Sequence, residues 1–241
     1  MRAYERRGAR PGRTIARRPE HRGAEGGFTL IEMMISITIM VIIVAGVLLS
    51  FLGQRSTNLN QENVAEVQGN LRAGMALMKR DVRNAGFLTP DVNSITAGNN
   101  NGLNATDQIT VSSTGLGEDW IYYGIMAVGG VPTLIRSTDQ ARNAPNDIEV
   151  IPNVEDMQLA YAWDANGNNQ IDAAEWVNDP TGNVQNVEVV RMSLIVRSLK
   201  PDPARQNYRR PALEDRAAGV ATDAFPRRLL TTIVKIRNKG L

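Results

Sequence analysis

The run FTLIEMMISITIMVIIVAGVLLSFL, residues 28–52, decides how the rest of this sequence is read. Its only charge is Glu32, and about 25 apolar residues are long enough to cross a bilayer core of about 30 Å as a helix. Ahead of it stand Arg2, Arg6, Arg7, Arg10, Arg13, Arg17, Arg18 and Arg22 against only Glu5, Glu20 and Glu25, a net +5 that leaves the rest at −3 of the +2 total. Positive flanks stay cytoplasmic, so residues after about 53 are expected outside the cytoplasm. A secretory signal peptide has an apolar core of about 7–15 residues and a small-residue cleavage site, and this run is longer. A plain single-pass anchor explains the length and the arginines but not Glu32. A charge at the centre of a membrane helix costs on the order of 2.5–3.5 kcal/mol, less near an interface, so it marks function.

The residues Gly26-Gly27-Phe28-Thr29-Leu30-Ile31-Glu32 resemble the class III signal of type IV prepilins and of type II secretion pseudopilins, a G-F-T-L-x-E motif directly ahead of a long apolar helix. The resemblance implies cleavage between Gly27 and Phe28 by a membrane-embedded prepilin peptidase, then N-methylation of the new Phe28 amine. The helix stays with the mature protein, where Glu32 is the fifth residue, placed to neutralise the terminal ammonium of a neighbouring subunit. Physics agrees: opposite charges attract strongly in a low dielectric, and either one alone is penalised there. Many major pilins carry a proline mid-helix, whereas this segment offers only Gly46, which favours a minor subunit.

Beyond Gly53 the apolar positions Val64, Val67, Leu71, Met75, Met78, Val82 and Ala85 step by three and four, one stripe of a helix that Gly86 terminates. A single helix over about 28–85 is predicted, its first half in membrane or fibre core and its second against a sheet. Residues 71–87 also resemble PilW-type proteins, which read L-x-x-D-[IVL]-R-x-A-G-[YF] around Asp81 and Gly86. Strands are predicted at 108–113, 120–126, 133–136, 157–163, 187–199 and 228–237. Alternation through Val190, Met192, Leu194 and Val196, and through Leu230, Thr232, Val234 and Ile236, suits an antiparallel sheet with one covered face. Residues 91–107 and 200–226 read as loops, the latter long enough to be mobile or a contact surface. The expected fold class is α+β, a pilin fold: leader 1–27, apolar helix 28–52, amphipathic continuation 53–86, and a β-rich domain 87–241.

Residues 164–175 overlay a twelve-residue EF-hand-type loop, with Asp164, Asn166 and Asn168 at positions 1, 3 and 5, the Gln170 carbonyl at 7, Asp172 at 9 and Glu175 at 12. Hard oxygen donors so spaced wrap one Ca²⁺, a structural calcium in a chain with no cysteine to form a disulfide. Asn169 stands where the turn normally has Gly, though Asn tolerates the left-handed conformation. No helix is evident ahead of the loop. Otherwise the segment is an Asn/Gly-rich turn that binds nothing.

Zero cysteines exclude thiolate catalysis, thiolate zinc and redox motifs. The single histidine, His21, lies in the expected leader, so the mature chain has no histidine acid–base chemistry and no enzyme is expected. A tip module binding nucleic acid would draw on Arg205, Arg209, Arg210, Arg216, Arg227 and Arg228. Asp202, Glu214, Asp215 and Asp223 interleave with them and only Tyr208 offers a stacking ring, so nucleic acid is not an expected partner. The partners implied by the resemblance are the prepilin peptidase, other minor and major pilins, and an inner-membrane assembly platform. Localisation follows as single-pass inner membrane with a periplasmic domain, then the pilus. A minor pseudopilin of a type II secretion system would carry the same motif, helix and loop. The residues around Asp81 and Gly86 favour a minor pilin of a type IV pilus.

Overall fold

The computed structural model describes residues 27–87, 94–113, 118–138, 147–202 and 207–238, so most of the expected leader and Arg205 lie outside the described residues. Contacts divide the chain into two units, one ending at Leu52 and one beginning at Gly53. A single helix, α1 (Leu30–Arg83), runs through both. In the first unit its apolar side chains, from Leu30 to Leu52, are exposed throughout. An 18-residue window of mean hydropathy 2.8 there has none of its residues buried, which by length and composition suffices to cross a membrane.

In the second unit the stripe faces inward: Val67, Leu71, Met75, Met78, Val82 and Ala85 are buried and Val64 is half-buried. Period-3.6 spacing puts these on one side, and the sheets behind supply the apolar surface that isolated helical propensity cannot. The helix ends where Gly86 takes φ +74° and its N–H donates to the Ser112 carbonyl, 2.8 Å away. Carbonyls freed at the end are taken by the chain terminus. Arg237 N–H donates to the Arg83 carbonyl at 2.8 Å, and the Asn238 side-chain amide donates to that of Ala85 at 3.2 Å.

Among the described residues all strand pairing is antiparallel. Five strands, β1 (Ile95–Gly98), β2 (Gln108–Ser113), β3 (Glu118–Val128), β4 (Val131–Ser137) and β5 (Asp147–Pro152), form one sheet in sequence order. A second sheet has the order β11-β8-β6-β7, from β6 (Val154–Ala162), β7 (Trp176–Val177), β8 (Val189–Arg197) and β11 (Arg227–Lys235). A short hairpin of β9 (Tyr208–Arg210) and β10 (Gly219–Ala221) completes the set.

Three expectations are corrected. The stretch 200–226 is not a structureless loop, because it holds β9, β10 and a Leu213–Arg216 bridge. Its strands are three residues each, too short to show alternation. Strand β1 lies within the expected loop 91–107, while β5 and β7 were not anticipated. The β4–β5 register shift at Leu134/Ile135 breaks the period-two pattern in β5. The second sheet is also not covered on one face only. Along β8, Ser193 and Ile195 are as buried as Met192 and Leu194. The outer face there carries Arg191, whose guanidinium grips Glu214 of the 213–216 turn with two bonds of 2.7 and 2.6 Å.

Helix and first sheet approach closely at Gly74. A Cβ there would lie 2.3 Å from Ile151 Cδ1 and 2.4 Å from its Cγ1. Glycine costs a helix interior about 1 kcal/mol relative to alanine, and the close approach to β5 accounts for its presence. Ile151 is fully buried, so it can give way only by displacing its core neighbours. Gly74→Val is therefore expected to destabilise the domain by about 1–3 kcal/mol, read from its chemical unfolding midpoint; an unchanged midpoint would contradict the packing.

Candidate functional site

The N-terminal site is a helix start. Gly27, Phe28 and Thr29 precede α1, and Phe28 is 84% exposed. Thr29 donates to Glu32 Oε2 from both its N–H and its hydroxyl, each at 2.9 Å. Glu32 N–H returns a bond to Thr29 Oγ1 at 3.3 Å. This reciprocal pairing is the capping box that T-x-x-E spacing encodes, and it gives the threonine and glutamate a local reason to stand three apart. One carboxylate oxygen is held by the cap. Among the described residues Glu32 has no cationic partner.

The loop 164–175 folds around its own oxygens. Asp164 receives the N–H groups of Gly167 at 2.6 Å, Asn168 at 3.1 Å and Asn169 at 2.7 Å. Slight burial pushes its carboxyl up, but these backbone donors outweigh that and hold it below the usual range. Asn169 adopts φ +61°, the left-handed conformation its place in the loop calls for. Glu175 closes the ring, accepting from Ala165 N–H at 2.9 Å and Asp172 N–H at 2.8 Å. Asp172 Oδ2 accepts the side-chain amides of Asn166 and Asn168, both at 3.0 Å. Gln170 N–H donates to Asn168 Oδ1 at 2.8 Å. Strand β6 precedes the loop, a 3₁₀ turn, Ala173–Glu175, ends it and β7 follows, so it sits between sheet elements rather than two helices. Among the described residues no three or more histidine or carboxylate side chains gather within reach of one ion. A cation here would rest mainly on amide and carbonyl oxygens.

A third centre, at the end of α1, was visible in sequence only as one position of a motif. Asp81 is fully buried and accepts from Tyr123 Oη at 2.7 Å, Arg136 Nε at 2.9 Å and Arg80 Nε at 2.8 Å. Burial pushes the Asp81 carboxyl up, but hydrogen bonds from Arg80, Tyr123 and Arg136 and the Arg136 charge outweigh it and lower it overall. Tyr123 is driven well above its ordinary range by burial and by the adjacent Asp81. Helix, β3 and β4 are thereby tied at one buried charge. Tyr123 and Arg136 lie 42 and 55 residues away, with no local signal linking them to Asp81.

Asp107 is a second buried acid that sequence reading passed over. It takes the N–H groups of Asn100 at 2.9 Å and Leu159 at 2.7 Å, joining the Asn-rich turn to β6. Burial, with the nearby charges of Asp215 and Asp156, outweighs those bonds and raises its carboxyl to about 6. The folded state thus holds the proton more tightly than the unfolded chain does. Its stabilising contribution is full at low pH and falls as pH rises from about 4 through about 6. Asp107 is expected to titrate near 6 by carboxyl-carbon NMR; a midpoint near 4, its unperturbed value, would refute this.

The arginines of 207–228 are largely spent on carboxylates. Arg210 and Arg216 lie 3.4 and 3.3 Å from buried Asp156. Arg227, buried at the start of β11, bonds Glu155 and Asp223 and holds the Asp223 carboxyl down to about 2. Ion pairing of this kind fastens the β9–β10 hairpin to the second sheet.

The model of the family Type IV Pilus-assembly protein W matches residues 121–238. That of the prokaryotic N-terminal methylation motif matches residues 22–48. Among solved structures, the type IV-like pilin TTHA1219 from Thermus thermophilus aligns with 73% of this chain and 100% of its own, at 14% identity and a TM-score of 0.47. No curated protein matches the chain.

Proposed function

We propose that this chain is a type IV pilin-like precursor, a minor pilin of type IV pilus assembly, cut between Gly27 and Phe28, methylated on Phe28 and held in the inner membrane by α1 with its domain on the periplasmic side. The observation that supports this reading is the bare apolar helix opening on a capped Glu32. Twenty-five residues with no protein cover need lipid or other helices around them. A carboxylate held at the mouth of that helix sits one turn from the position of the new ammonium. On joining the fibre core, the subunit would exchange lipid for the helices of other pilins, and Glu32 would meet a neighbour's Phe28 amine. An inner-membrane platform and the major and minor pilins are the partners this route requires.

The test is the N-terminal mass of the full chain expressed with and without an active prepilin peptidase. A product starting at methylated Phe28 supports the proposal. A product still starting at Met1 beside active peptidase refutes it.

A second reading concerns the loop at 164–175, where we propose a structural calcium held by Asp164, Asn166, Asn168, the Gln170 carbonyl, Asp172 and Glu175. Support comes from the wrapped geometry, in which Asp164 and Glu175, at the two ends of the loop, both accept backbone N–H groups of residues 165–169. Turning the two asparagine amides from Asp172 would present their oxygens to an ion. With so few carboxylates, binding is expected at about 10⁻⁴ to 10⁻³ M, the range of extracellular modules. Trp163 and Trp176 flank the loop, so calcium added to the full chain in detergent should change tryptophan emission and slow proteolysis within the loop, and a chelator should reverse both. Asp164→Ala should abolish the response; no response in the parent chain at about 10 mM, well above that range, would end the proposal.

A further inference from the structure

An open cleft of about 490 Å³ between the β9–β10 hairpin and the second sheet is rich in hydrogen-bond donors. Arg197 of β8, Arg210 of β9, Arg216 and Arg227 of β11 line it with Asn153 and Glu155. Four guanidiniums thus share a wall with one carboxylate, and Asp156, its side chain 2% exposed, stands behind Arg210 and Arg216. Arg227 is fully engaged: both Glu155 oxygens accept from it, as do those of Asp223.

The other three arginines are paired only loosely. Arg210 and Arg216 lie 3.4 and 3.3 Å from Asp156, and Arg197 Nε lies 3.7 Å from Glu155, whose oxygens are committed to Arg227. A charged guanidinium–carboxylate bond usually runs to about 2.7–2.9 Å. Arg191 and Glu214 show that closed form in the same domain, at 2.7 and 2.6 Å. The heads are nevertheless held in place. Arg210 donates to the Ala217 carbonyl and Arg216 to those of Asn104 and Ala105, while Arg197 lies over the Phe225 ring at 4.6 Å, a contact that consumes no donor.

Three donors of this wall, Arg197 Nε, Arg210 Nε and Asn153 Nδ2, are closed to solvent and have no acceptor among the described residues. Asn153 as a whole is only 6% exposed. Native interiors seldom leave buried donors unmet, so this wall is short of a group that only accepts, a carboxylate or phosphate oxygen. A recess of about 170 Å³ shares Glu155, Arg210, Ala221 and Arg227 with the cleft and adds Tyr208 and Val220, an aromatic and apolar surface. The cleft itself falls in the size range of small-molecule sites, about 300–1,000 Å³.

We propose that this cleft binds a small organic anion, its carboxylate or phosphate oxygens held by Arg197, Arg210, Arg216 and Asn153 and its carbon frame lying toward Tyr208 and Val220. Small rotations of the arginine stems and of the Asn153 amide bring the unmet donors to the ligand. Arg227 stays with Glu155 and Asp223 as a fixed part of the wall. The site lies wholly in the second unit and does not depend on cleavage at Gly27.

The test is a titration of the full chain in detergent with citrate, glucose 6-phosphate and inorganic phosphate, at constant ionic strength against chloride, read from the arginine Nε–H signals by NMR. Citrate or glucose 6-phosphate should saturate the Arg197 and Arg210 signals about tenfold more tightly than inorganic phosphate, and the better of the two identifies the head group. Arg197→Gln should weaken binding by about tenfold or more. Asn153→Asp supplies an acceptor from within the wall, so it should abolish binding with no loss in the unfolding midpoint, which shows that the variant is folded. Arg209→Gln, exposed and outside the cleft, should bind as the parent chain does. No saturation by about 50 mM, far above the millimolar range of a weak site, would overturn the proposal. So would an equal loss in Arg209→Gln, or binding undiminished in Asn153→Asp and Arg197→Gln.

Discussion

Asp81→Ala is expected to cost the domain about 3–5 kcal/mol, because it breaks a buried pair by removing the carboxylate that Arg136 and Tyr123 both bond in the core. The Arg136 side chain is only 7% exposed and cannot reach water without opening the contact between helix and sheet. Tyr123, fully buried, loses the acceptor for its hydroxyl at the same time. Against a usual domain stability of about 5–15 kcal/mol, that loss threatens accumulation of folded protein. Pairing the mutation with Arg136→Met removes the other half of the pair and should recover a substantial part of the loss, since a buried ion pair replaced as a pair is often near neutral.

The same centre carries a pH sign. The Asp81 carboxyl is lower in the folded state than in the unfolded chain, so its contribution is complete above the ordinary carboxylate range and fades as pH falls through the lowered value. Asp107 works the other way, being costlier to keep ionised as pH rises through about 6. Denaturant titrations of the parent chain, Asp81→Ala and the double variant read the first effect directly. A single-variant loss below about 1 kcal/mol would place the charge in a far wetter site than its burial implies.

Glu32→Ala is expected to leave cleavage intact and to remove the subunit from fibres. A neighbour's ammonium about 4 Å from the carboxylate would be worth about 4 kcal/mol at an effective dielectric of 20, and more where water is excluded. Losing Glu32 strands that ammonium among apolar helices. The helix cap offers a competing explanation, since Thr29 and Glu32 also satisfy the first turn. Glu32→Gln separates the two. Glutamine keeps the capping geometry but not the charge, so the charge argument has Gln fail as completely as Ala, whereas a capping role has Gln function nearly normally. The readout is the amount of subunit in sheared fibres relative to membranes. Incorporation of the Gln variant at parental levels would sink the charge argument.

Much of the architecture was legible because its signals are local. An apolar run and a three-and-four stripe ended by a glycine each lie within a few turns of chain, and α1 (Leu30–Arg83) follows from them to within two residues at either end of the expected helix. Strand β2 matches its expected bounds, and β11 shows its inner and outer faces in plain alternation. The loop at 164–175 likewise wraps on itself through contacts no more than ten residues apart.

What stayed hidden depended on partners distant in the chain. The role of Asp81 rests on Tyr123 and Arg136, and that of Asp107 on Leu159, 52 residues on. Similarly, Gly74 has its reason only in Ile151. Strands β9 and β10 are too short for periodicity, and ion pairs from Arg210 and Arg216 to Asp156 hold that region on the sheet. Burial on both faces of β8 came from elements laid over it, which a strand's own alternation does not encode. Amphipathic patterning alone determined which residues form the helix and that its first half is left uncovered, because hydrophobic period and length are properties of adjacent residues. Tertiary structure alone decided which charges are buried and which pair, because those follow from distances that the chain sets only after it has folded.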